Sequence, residues 1–283
     1  MTSRQPLLRN RKATELQYRG EILFGIHSIH LALLERRRKF HCLFVRKTSS
    51  LDDNENALRR HKIIGIAEHM KIPIKFVDNE GLKYLAPNAV HQGICLDVGP
   101  LPLLKWEECR LSDQVSEDSL HLVINEILDP MNVGAIIRSA YYFGVRELFM
   151  TIGNSCRLSP TVSKASSGSL EVMNIYHVDN LENFIKTRKS HGWSVFSTVA
   201  YCENKDCIQT TSDFNKSQES GPKILILGNE GKGISPEIQQ LCDGFISIQP
   251  KNSLHEGIDS LNVSVAAGII LYSLTIGRCL EMK

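Results

Sequence analysis

Three polar side chains in the C-terminal half of the chain follow apolar segments and could position a reacting hydroxyl. Asn132 and Arg138 come after the apolar residues 120–125, and Glu230 lies among glycines after residues 223–227. A guanidinium can bind a phosphate or a carboxylate through two hydrogen bonds and stabilise a developing oxyanion. A carboxylate among glycines loses solvation unless it is paired, so Arg138 is a candidate partner for Glu230. Surface salt bridges and helix caps would explain the same residues without chemistry.

The glycine-rich segment 228–233 has the sequence Gly-Asn-Glu-Gly-Lys-Gly. It lies between an apolar strand pattern and Pro236, which favours a helix start at that proline. Glycines between a strand and a helix let backbone amides approach a ligand closely. The spacing Gly-x-x-Gly-x-Gly is not the dinucleotide-binding pattern, and the absence of Gly-Lys-Ser/Thr excludes a P-loop. A flexible turn is the alternative.

Two polar residues are placed where helices begin. Ser260 comes just before the last apolar helical pattern and could cap that helix. We likewise expect Asn132 to cap the helix that follows Asp129-Pro130. On an α-helix, Asn132 and Arg138 are separated by about 240° once a whole turn is removed, so they share a face only loosely.

Strand and helix patterns alternate along most of the chain. Strand patterns occur at 42–45, 74–77, 92–98, 120–125, 147–150, 194–197, 223–227 and 244–248, and helical patterns at 25–34, 57–70, 133–143, 181–192 and 261–278. Apolar strands that alternate with helices predict an α/β fold with a mostly parallel sheet and helices on both faces.

Composition divides the chain into four segments. Residues 1–20 are basic and without periodicity, which predicts a disordered arm or a leader. Residues 21–100 predict a small α/β domain. Residues 101–119, which follow Pro100 and contain Pro102, three serines and five acidic residues, predict a linker. Residues 120–283 predict a second α/β domain. The acid-poor, arginine-rich start is typical of mitochondrial presequences, although a basic arm would look the same.

Overall composition excludes several classes of protein. The net charge of +2 is weak evidence for any partner, but local basic clusters, such as residues 36–39, suit an RNA backbone. None of the eight cysteines forms a Cys-x-x-Cys pair, which favours free thiols and argues against a metal site. The longest apolar run, residues 261–276, contains Asn262, Ser264 and Ser273 and is short for a membrane span.

Taken together and in this order, three segments resemble the signature motifs of the SpoU (TrmH-like) branch of the SPOUT methyltransferases. The segments are residues 125–138, residues 224–234, and residues 245–250 leading to 260–267. The resemblance covers about residues 20–277. It implies methyl transfer from S-adenosylmethionine to a ribose 2'-hydroxyl of RNA. It also implies a SPOUT domain with a trefoil knot, an N-terminal L30e-like RNA-binding domain, and a homodimer with its active site near the subunit interface.

The resemblance also assigns roles to individual positions. The active-site positions of the branch match Asn132, Arg138, Glu230, Ser260 and Asn262, and its cofactor-binding positions match Gly228, Asn229, Gly233, Ile248 and Leu261. The branch's arginine is held to activate the ribose hydroxyl. Because a guanidinium rarely loses its proton in proteins, orientation of the substrate is the alternative role. The loop 251–259 departs from the usual pattern, which leaves the cofactor contacts of residues 249–259 open.

The resemblance extends to the substrate. The short sequence at residues 91–93, His-Gln-Gly, recurs in the RNA-recognition domain of this branch, although a turn before a strand would also explain it. The whole-length pattern is most similar to enzymes that make 2'-O-methylguanosine in mitochondrial large-subunit ribosomal RNA, which implies the mitochondrial matrix. A tRNA ribose methyltransferase and a non-catalytic RNA-binding ribosome-assembly factor are the alternatives. No metal or membrane is expected.

Overall fold

The computed structural model describes residues 16–47, 55–108, 119–200, 208–210, 221–252, 255 and 260–275. Its contacts group the chain into two compact units. The first comprises Met1–Pro102 and Leu158–Val172, and the second Leu103–Arg157 and Met173–Lys283. Most of the segment predicted as a basic arm or leader, residues 1–15, lies outside the described residues.

Helices and strands alternate along the described chain. The strands are β1 Glu21–Phe24, β2 Phe40–Arg46, β3 Ile74–Val77, β4 Ile94–Val98, β5 Leu104–Lys105, β6 Leu120–Ile124, β7 Glu147–Thr151, β8 Asn174–Val178, β9 Ser194–Thr198, β10 Ile208–Thr210, β11 Lys223–Leu227 and β12 Gly244–Ser247. The helices are α1 Ile26–Glu35, α2 Glu55–His69, α3 Asn79–Leu85, α4 Pro130–Tyr142, α5 Pro160–Ala165, α6 Ser169–Val172, α7 Leu181–Ser190, α8 Pro236–Gln239 and α9 Val263–Thr275.

The first unit is built on a four-stranded mixed sheet in the order β1-β4-β2-β3. Strand β4 is antiparallel to both of its neighbours, and β2 is parallel to β3. Hydrophobic cores lie on both faces of the sheet. Because successive side chains of a strand point to opposite faces, one strand contributes to both cores. In β2, Leu43 and Val45 join one hydrophobic core, while Cys42 and Phe44 join the other.

The start of the described chain is hydrogen-bonded to strand β4 of this sheet. The buried carboxylate of Asp97 accepts hydrogen bonds from the backbone amides of Arg19, at 2.8 Å, and Gly20, at 2.9 Å. The sequence analysis grouped residues 16–20 with a basic, aperiodic segment, whereas these two bonds anchor Arg19 and Gly20 to β4.

Helices α5 and α6 are grouped with the first unit although the sequence analysis assigned them to the second domain. A buried ion pair supports this grouping. The guanidinium of Arg38 contacts both carboxylate oxygens of Glu171, at 2.7 and 3.0 Å, and the Ser163 hydroxyl donates to Glu171 at 2.8 Å. A buried carboxylate is costly unless it is paired and hydrogen-bonded, and these contacts supply both.

The second unit contains an eight-stranded sheet within the described residues, in the order β10-β12-β9-β11-β6-β7-β8-β5. Every pairing in it is parallel. Strand β6 is buried along its whole length, as expected for a parallel strand covered on both faces. The predicted α/β class with a mostly parallel sheet is therefore confirmed.

Most of the predicted elements appear with small shifts in their ends. Strands β3 and β11 have the predicted bounds, whereas the closing helix, predicted at 261–278, is described as Val263–Thr275. The sequence analysis missed β1, β5, β8, β10, α3, α5 and α6, most of which have seven residues or fewer. The knot and the L30e-like character of the first domain stay predictions.

Candidate active site

The three sequence motifs follow strands of the second unit's parallel sheet. Residues 125–132 follow β6, residues 228–233 follow β11, and Ile248 follows β12. Strands β6 and β11 are neighbours, and β12 lies two places from β11, beyond β9. Because the carboxyl ends of parallel strands meet at one edge of a sheet, the loops after them converge there, where α/β proteins commonly bind ligands.

Asn132 faces the second motif instead of capping its own helix. The side chain of Asp129 caps α4 by accepting from the Met131 amide at 2.8 Å, so the cap expected from Asn132 is wrong. Asn132 follows Met131 in the first turn of α4, three residues after the capping Asp129. Its Nδ2 donates to Oε1 of Glu230 at 3.1 Å. Because Asp129 satisfies the helix end, the Asn132 amide is available to connect two motifs.

Asn262 provides the third member of this arrangement and also caps α9. Its Oδ1 accepts from the backbone amides of Ser264, at 2.9 Å, and Val265, at 3.3 Å, so the cap expected from Ser260 belongs to Asn262. Its Nδ2 donates to Oδ1 of Asn132 at 3.0 Å. The hydrogen-bonded chain Asn262–Asn132–Glu230 therefore joins all three motifs.

The direction of the bonds in this chain follows from its two ends. At one end, backbone N–H groups require Oδ1 of Asn262 to accept. At the other end, an ionised Glu230 carboxylate can only accept, so Nδ2 of Asn132 must donate. The orientations of both amides therefore follow from these two ends. The chain holds Asn132 in one orientation and leaves the other Glu230 oxygen available.

Arg138 lies apart from this chain. The expected pairing of Arg138 with Glu230 is wrong, because the bond of Glu230 is to Asn132. Arg138 is exposed and makes no hydrogen bond or ion pair among the residues that the structure describes. Met131 and Tyr142, which are 57% and 81% exposed, lie about 20° and about 40° from Arg138 around the axis of α4. Arg138 therefore stands in a solvent-exposed stripe of this helix.

The loop 228–233 is closed by its own backbone. Asn229 and Gly233 form a two-way bridge, and a Cβ atom at Gly228 would lie 2.8 Å from the carbonyl carbon of Gly233. Gly233 has a φ of +68° with open space beside it. Only glycine fits the crowded position 228, and position 233 needs a left-handed backbone that glycine adopts without strain.

Asn229 braces this loop from inside. Its Oδ1 accepts from the amides of Gly231 and Lys232, both at 2.9 Å, and its Nδ2 donates to the carbonyl oxygen of Glu126 at 2.7 Å. These bonds occupy both ends of the amide. The Asn229 side chain therefore connects the second motif to the first.

Glu126 is a site residue that the sequence analysis did not single out. It adopts a left-handed backbone with φ of +57°, which is uncommon for a non-glycine residue. Its amide is held by the hydroxyl oxygens of Thr151, at 3.2 Å, and Ser155, at 3.0 Å. A strained residue held by its surroundings is often functional. No local pattern distinguishes Glu126 from an ordinary turn residue.

Two apolar side chains belong to the third motif. Ile248 is half-buried directly after β12, and Leu261, next to Asn262, is 49% exposed. Ser260 is exposed.

Near the first motif, burial raises the pKa of the Cys156 thiol and the Asp129 carboxylate raises it further. A thiol with a raised pKa stays protonated at neutral pH, which argues against a cysteine nucleophile here.

Comparison with protein families gives this arrangement its identity. The SpoU rRNA methylase family matches residues 119–272, which include all three motifs. The chain belongs to the SpoU rRNA methylase family. The RNA 2'-O ribose methyltransferase substrate-binding family matches residues 22–104 of the same SpoU chain. Among the residues that the structure describes, no group of histidine, cysteine and acidic side chains could hold a metal ion, and no helix is long and apolar enough to cross a bilayer.

Individual relatives agree with this SpoU membership. The mitochondrial rRNA methyltransferase 1 of Homo sapiens is 36% identical over 92% of this chain and 74% of its own length. The 23S rRNA (guanosine-2'-O-)-methyltransferase RlmB of Acinetobacter baylyi is 30% identical over 89% of this chain and 95% of its own length. The crystal structure of the SpoU methyltransferase AviRb from Streptomyces viridochromogenes with AdoMet has a TM-score of 0.69 and 22% identity, over 92% of this chain and 91% of AviRb. That likeness establishes the SpoU methyltransferase fold.

Proposed function

We propose that the protein transfers a methyl group from S-adenosylmethionine to the 2'-hydroxyl of a guanosine in mitochondrial large-subunit ribosomal RNA. The observation that carries this proposal is the hydrogen-bonded chain Asn262–Asn132–Glu230, which brings together one residue from each SpoU motif. A non-catalytic RNA-binding factor would have no need to hold these three polar side chains in one orientation. The names of the human and Acinetobacter baylyi relatives support ribosomal RNA, guanosine and the mitochondrion.

The chain's own residues supply position and charge. Asn132 is immobilised at both ends of its amide, and Glu230 keeps one carboxylate oxygen for a further partner. Arg138, whose guanidinium has no partner among the described residues, is available to orient the ribose and stabilise the oxyanion that develops on it. Alignment of the hydroxyl with an electrophile accounts for several kcal/mol of the roughly 7–11 kcal/mol that orientation can contribute.

The cofactor site has the composition that an adenosine requires. The bound S-adenosylmethionine supplies an electrophilic methyl group on a sulfonium centre. The backbone of the 228–233 loop, with open space at Gly233, would hold polar groups of the cofactor. Ile248 and the exposed Leu261 would cover its adenine ring. Ser260 is exposed beside Leu261, in reach of the reacting ribose by its place in the third motif.

We propose further that the protein acts as a homodimer through α4 and α9. These helices pack on each other, and the rings of Phe143 and Tyr272 lie 6.0 Å apart. Each helix also presents exposed side chains: Met131, Arg138 and Tyr142 on α4, and Val265, Ile269 and Tyr272 on α9, with Leu261 just before α9. Exposed apolar stripes on adjacent helices are a typical interaction surface. A second copy would cover them and bring its own cofactor towards Arg138.

The remaining parts of the proposal concern RNA recognition and location. We propose that residues 21–100 form most of the RNA-binding domain and residues 120–283 most of the methyltransferase domain. Of the residues expected to form a linker, 101–119, Leu104 and Lys105 form β5 in the second unit's sheet, and residues 158–172 group with the first unit. The two family matches, at 22–104 and 119–272, support this division. The proposed location is the mitochondrial matrix, where the substrate is found.

The decisive experiment incubates the full chain with labelled S-adenosylmethionine, mitochondrial large-subunit ribosomal RNA and total tRNA, and maps the methylated position. Label at one guanosine ribose of the ribosomal RNA supports the proposal. Label in tRNA keeps the chemistry and overturns the substrate. If the protein binds the cofactor but labels neither RNA, and also labels no ribosome-assembly intermediate, the non-catalytic binding factor is favoured.

Arg138 provides a test of the dimer. Arg138→Ala removes turnover while cofactor affinity stays within a few-fold, because no described cofactor-site residue contacts Arg138. A mixture of Arg138→Ala and Glu230→Gln chains, each inactive alone, should recover part of the activity if the two residues act across a subunit interface. No recovery in a demonstrated mixed dimer would place both residues in one protomer's site.

A further inference from the structure

The first unit contains a strained turn at residues 91–93, immediately before β4. Gln92 has a φ of +55° and Gly93 a φ of +80°, so two consecutive residues are left-handed. The turn is stabilised locally, because the Gly93 amide donates to Nδ1 of His91 at 3.0 Å. A glutamine in this conformation costs about 1 kcal/mol or more and persists only where the surroundings hold it.

The surroundings hold the Gln92 side chain in one orientation. Its Oε1 accepts from Nζ of Lys164 at 2.7 Å and from the backbone amide of Ile26 at 3.2 Å. Both bonds go to the oxygen, which leaves the Nε2 donors directed elsewhere. Lys164 belongs to α5, which lies 72 residues further along the chain but in the same compact unit. The turn is therefore completed by a residue from the methylase part of the sequence.

Two glycines of the first unit, Gly25 and Gly168, lie close to other parts of the chain near Lys164. A Cβ atom on Gly25 would lie 2.5 Å from Nζ of Lys164, and Gly25 itself has a φ of +89°. Gly168, three residues after the end of α5, has a φ of +88°, and a Cβ atom there would lie 3.0 Å from the carbonyl oxygen of His27. These two glycines allow the close approach that brings the ammonium group of Lys164 to Gln92.

Positive side chains surround this turn. Arg60 donates from Nη1 to the Gln92 carbonyl oxygen at 3.3 Å, and the side chains of Arg60 and Arg46 flank Gly93. Burial lowers the pKa of His91, and the charges of Arg46 and Lys83 lower it further. Burial also lowers the pKa of Lys164, which makes no ion pair with a carboxylate among the described residues. Several basic side chains thus lie around one turn.

We propose that this Gln92 cluster binds the sugar–phosphate backbone of the RNA substrate. The cluster consists of Arg46, Arg60, Lys83, His91, Gln92 and Lys164. The negative charge of phosphates suits this basic group, and the Nε2 donors of Gln92, which make no hydrogen bond among the described residues, would contact phosphate or ribose oxygens. The proposal rests on the proposed function, since it takes ribosomal RNA as the ligand. It adds a role for α5, whose lysine would make the methylase segment part of RNA binding.

The test measures RNA affinity over a range of salt concentrations with the full chain. Lys164→Gln removes the charge and retains most of the stem, and Lys83→Gln changes an exposed residue of α3. Lys186→Gln is the matched control, because Lys186 is an exposed lysine of α7 that pairs with Glu182. The probe is a transcript of mitochondrial large-subunit ribosomal RNA, and cofactor affinity and melting temperature are measured on every variant.

Each lost phosphate contact makes the slope of log affinity against log salt concentration shallower by about 0.7–0.9. If variant and parent bind equally at about 1 M salt, the variant should therefore bind about 4- to 6-fold more weakly than the parent at roughly 0.15 M salt. We expect this reduction for Lys164→Gln and Lys83→Gln, with a raised KM for RNA and unchanged cofactor affinity, and no reduction for Lys186→Gln. Unchanged slopes in both cluster variants would overturn the proposal. Reduced slopes in a protein that methylates no RNA would retain the RNA site and reject the proposed function.

Discussion

The bond between Asn262 and Asn132 can be tested separately from the helix cap that Asn262 also provides. In Asn262→Asp, the new carboxylate still accepts from the amides of Ser264 and Val265, and a negative charge suits a helix N-terminus. The carboxylate cannot donate to Oδ1 of Asn132, which lies 3.0 Å from the present donor. The change therefore breaks the polar chain and keeps the cap.

The magnitude follows from the bond that is lost. A neutral hydrogen bond contributes about 0.5–1.5 kcal/mol, so kcat should fall by roughly 2- to 13-fold if the bond orients Asn132 in the transition state. Thermal stability should stay within about 0.5 kcal/mol of the parent. Asn262→Ala should show the same loss of kcat and, in addition, a loss of about 1 kcal/mol of stability because the cap is gone.

The assay combines methyl transfer at saturating RNA and cofactor with thermal unfolding. Asn180 is a matched control, because its Oδ1 caps α7 by accepting from the Asn183 amide at 2.8 Å, outside the site. Asn180→Asp and Asn180→Ala should reproduce the two stability results without any change in kcat. An Asn262→Asp protein with the parent's kcat would refute the idea that the Asn262–Asn132–Glu230 chain positions the reaction.

Three further perturbations test other parts of the structure. Gly228→Ala should destabilise the 228–233 loop by about 1–3 kcal/mol and weaken cofactor binding, because its Cβ would lie 2.8 Å from the carbonyl carbon of Gly233, whereas Gly231→Ala, with no atom closer than 3.7 Å, should bind the cofactor normally in calorimetry. Glu171→Gln should cost up to about 3–5 kcal/mol in denaturant unfolding because it removes the buried charge partner of Arg38, which keeps only the partly exposed Glu21 at 3.1 Å, and the exposed Glu182→Gln should cost less than about 1 kcal/mol; equal costs would contradict the account of the buried pair. Burial lowers the pKa of His121, which stacks on Trp193 at 3.9 Å, so the unfolded chain binds a proton first and stability should be complete above about pH 6.5 and fall as the pH drops below it; His121→Phe should flatten that fall in melting curves, and an unchanged slope would assign it to other groups.

The sequence by itself determined the class of the fold and the family. Apolar strands such as 74–77 and 223–227 lie between turn and helix signals, and local periodicity of this kind specifies elements without long-range information. The three motifs also identified Asn132, Glu230 and Asn262, since residue type and order along the chain are all that a motif needs. Helices α5 and α6, with six and four residues, are too short to produce a periodic signal, so the sequence did not reveal them.

Only the tertiary structure decided what each of these polar residues does. Asp129 and Asn132 are both suitable helix caps, as are Ser260 and Asn262, so local preference cannot choose between them. The choice follows from bonds between residues 98 and 130 positions apart, in which Glu230 and Asn262 engage the Asn132 amide. The same holds for Arg38 and Glu171, which are 133 positions apart and meet in a buried pair. Side chains with several equivalent local roles take the one that satisfies the most buried or constrained partners, and those partners are set by the folded chain.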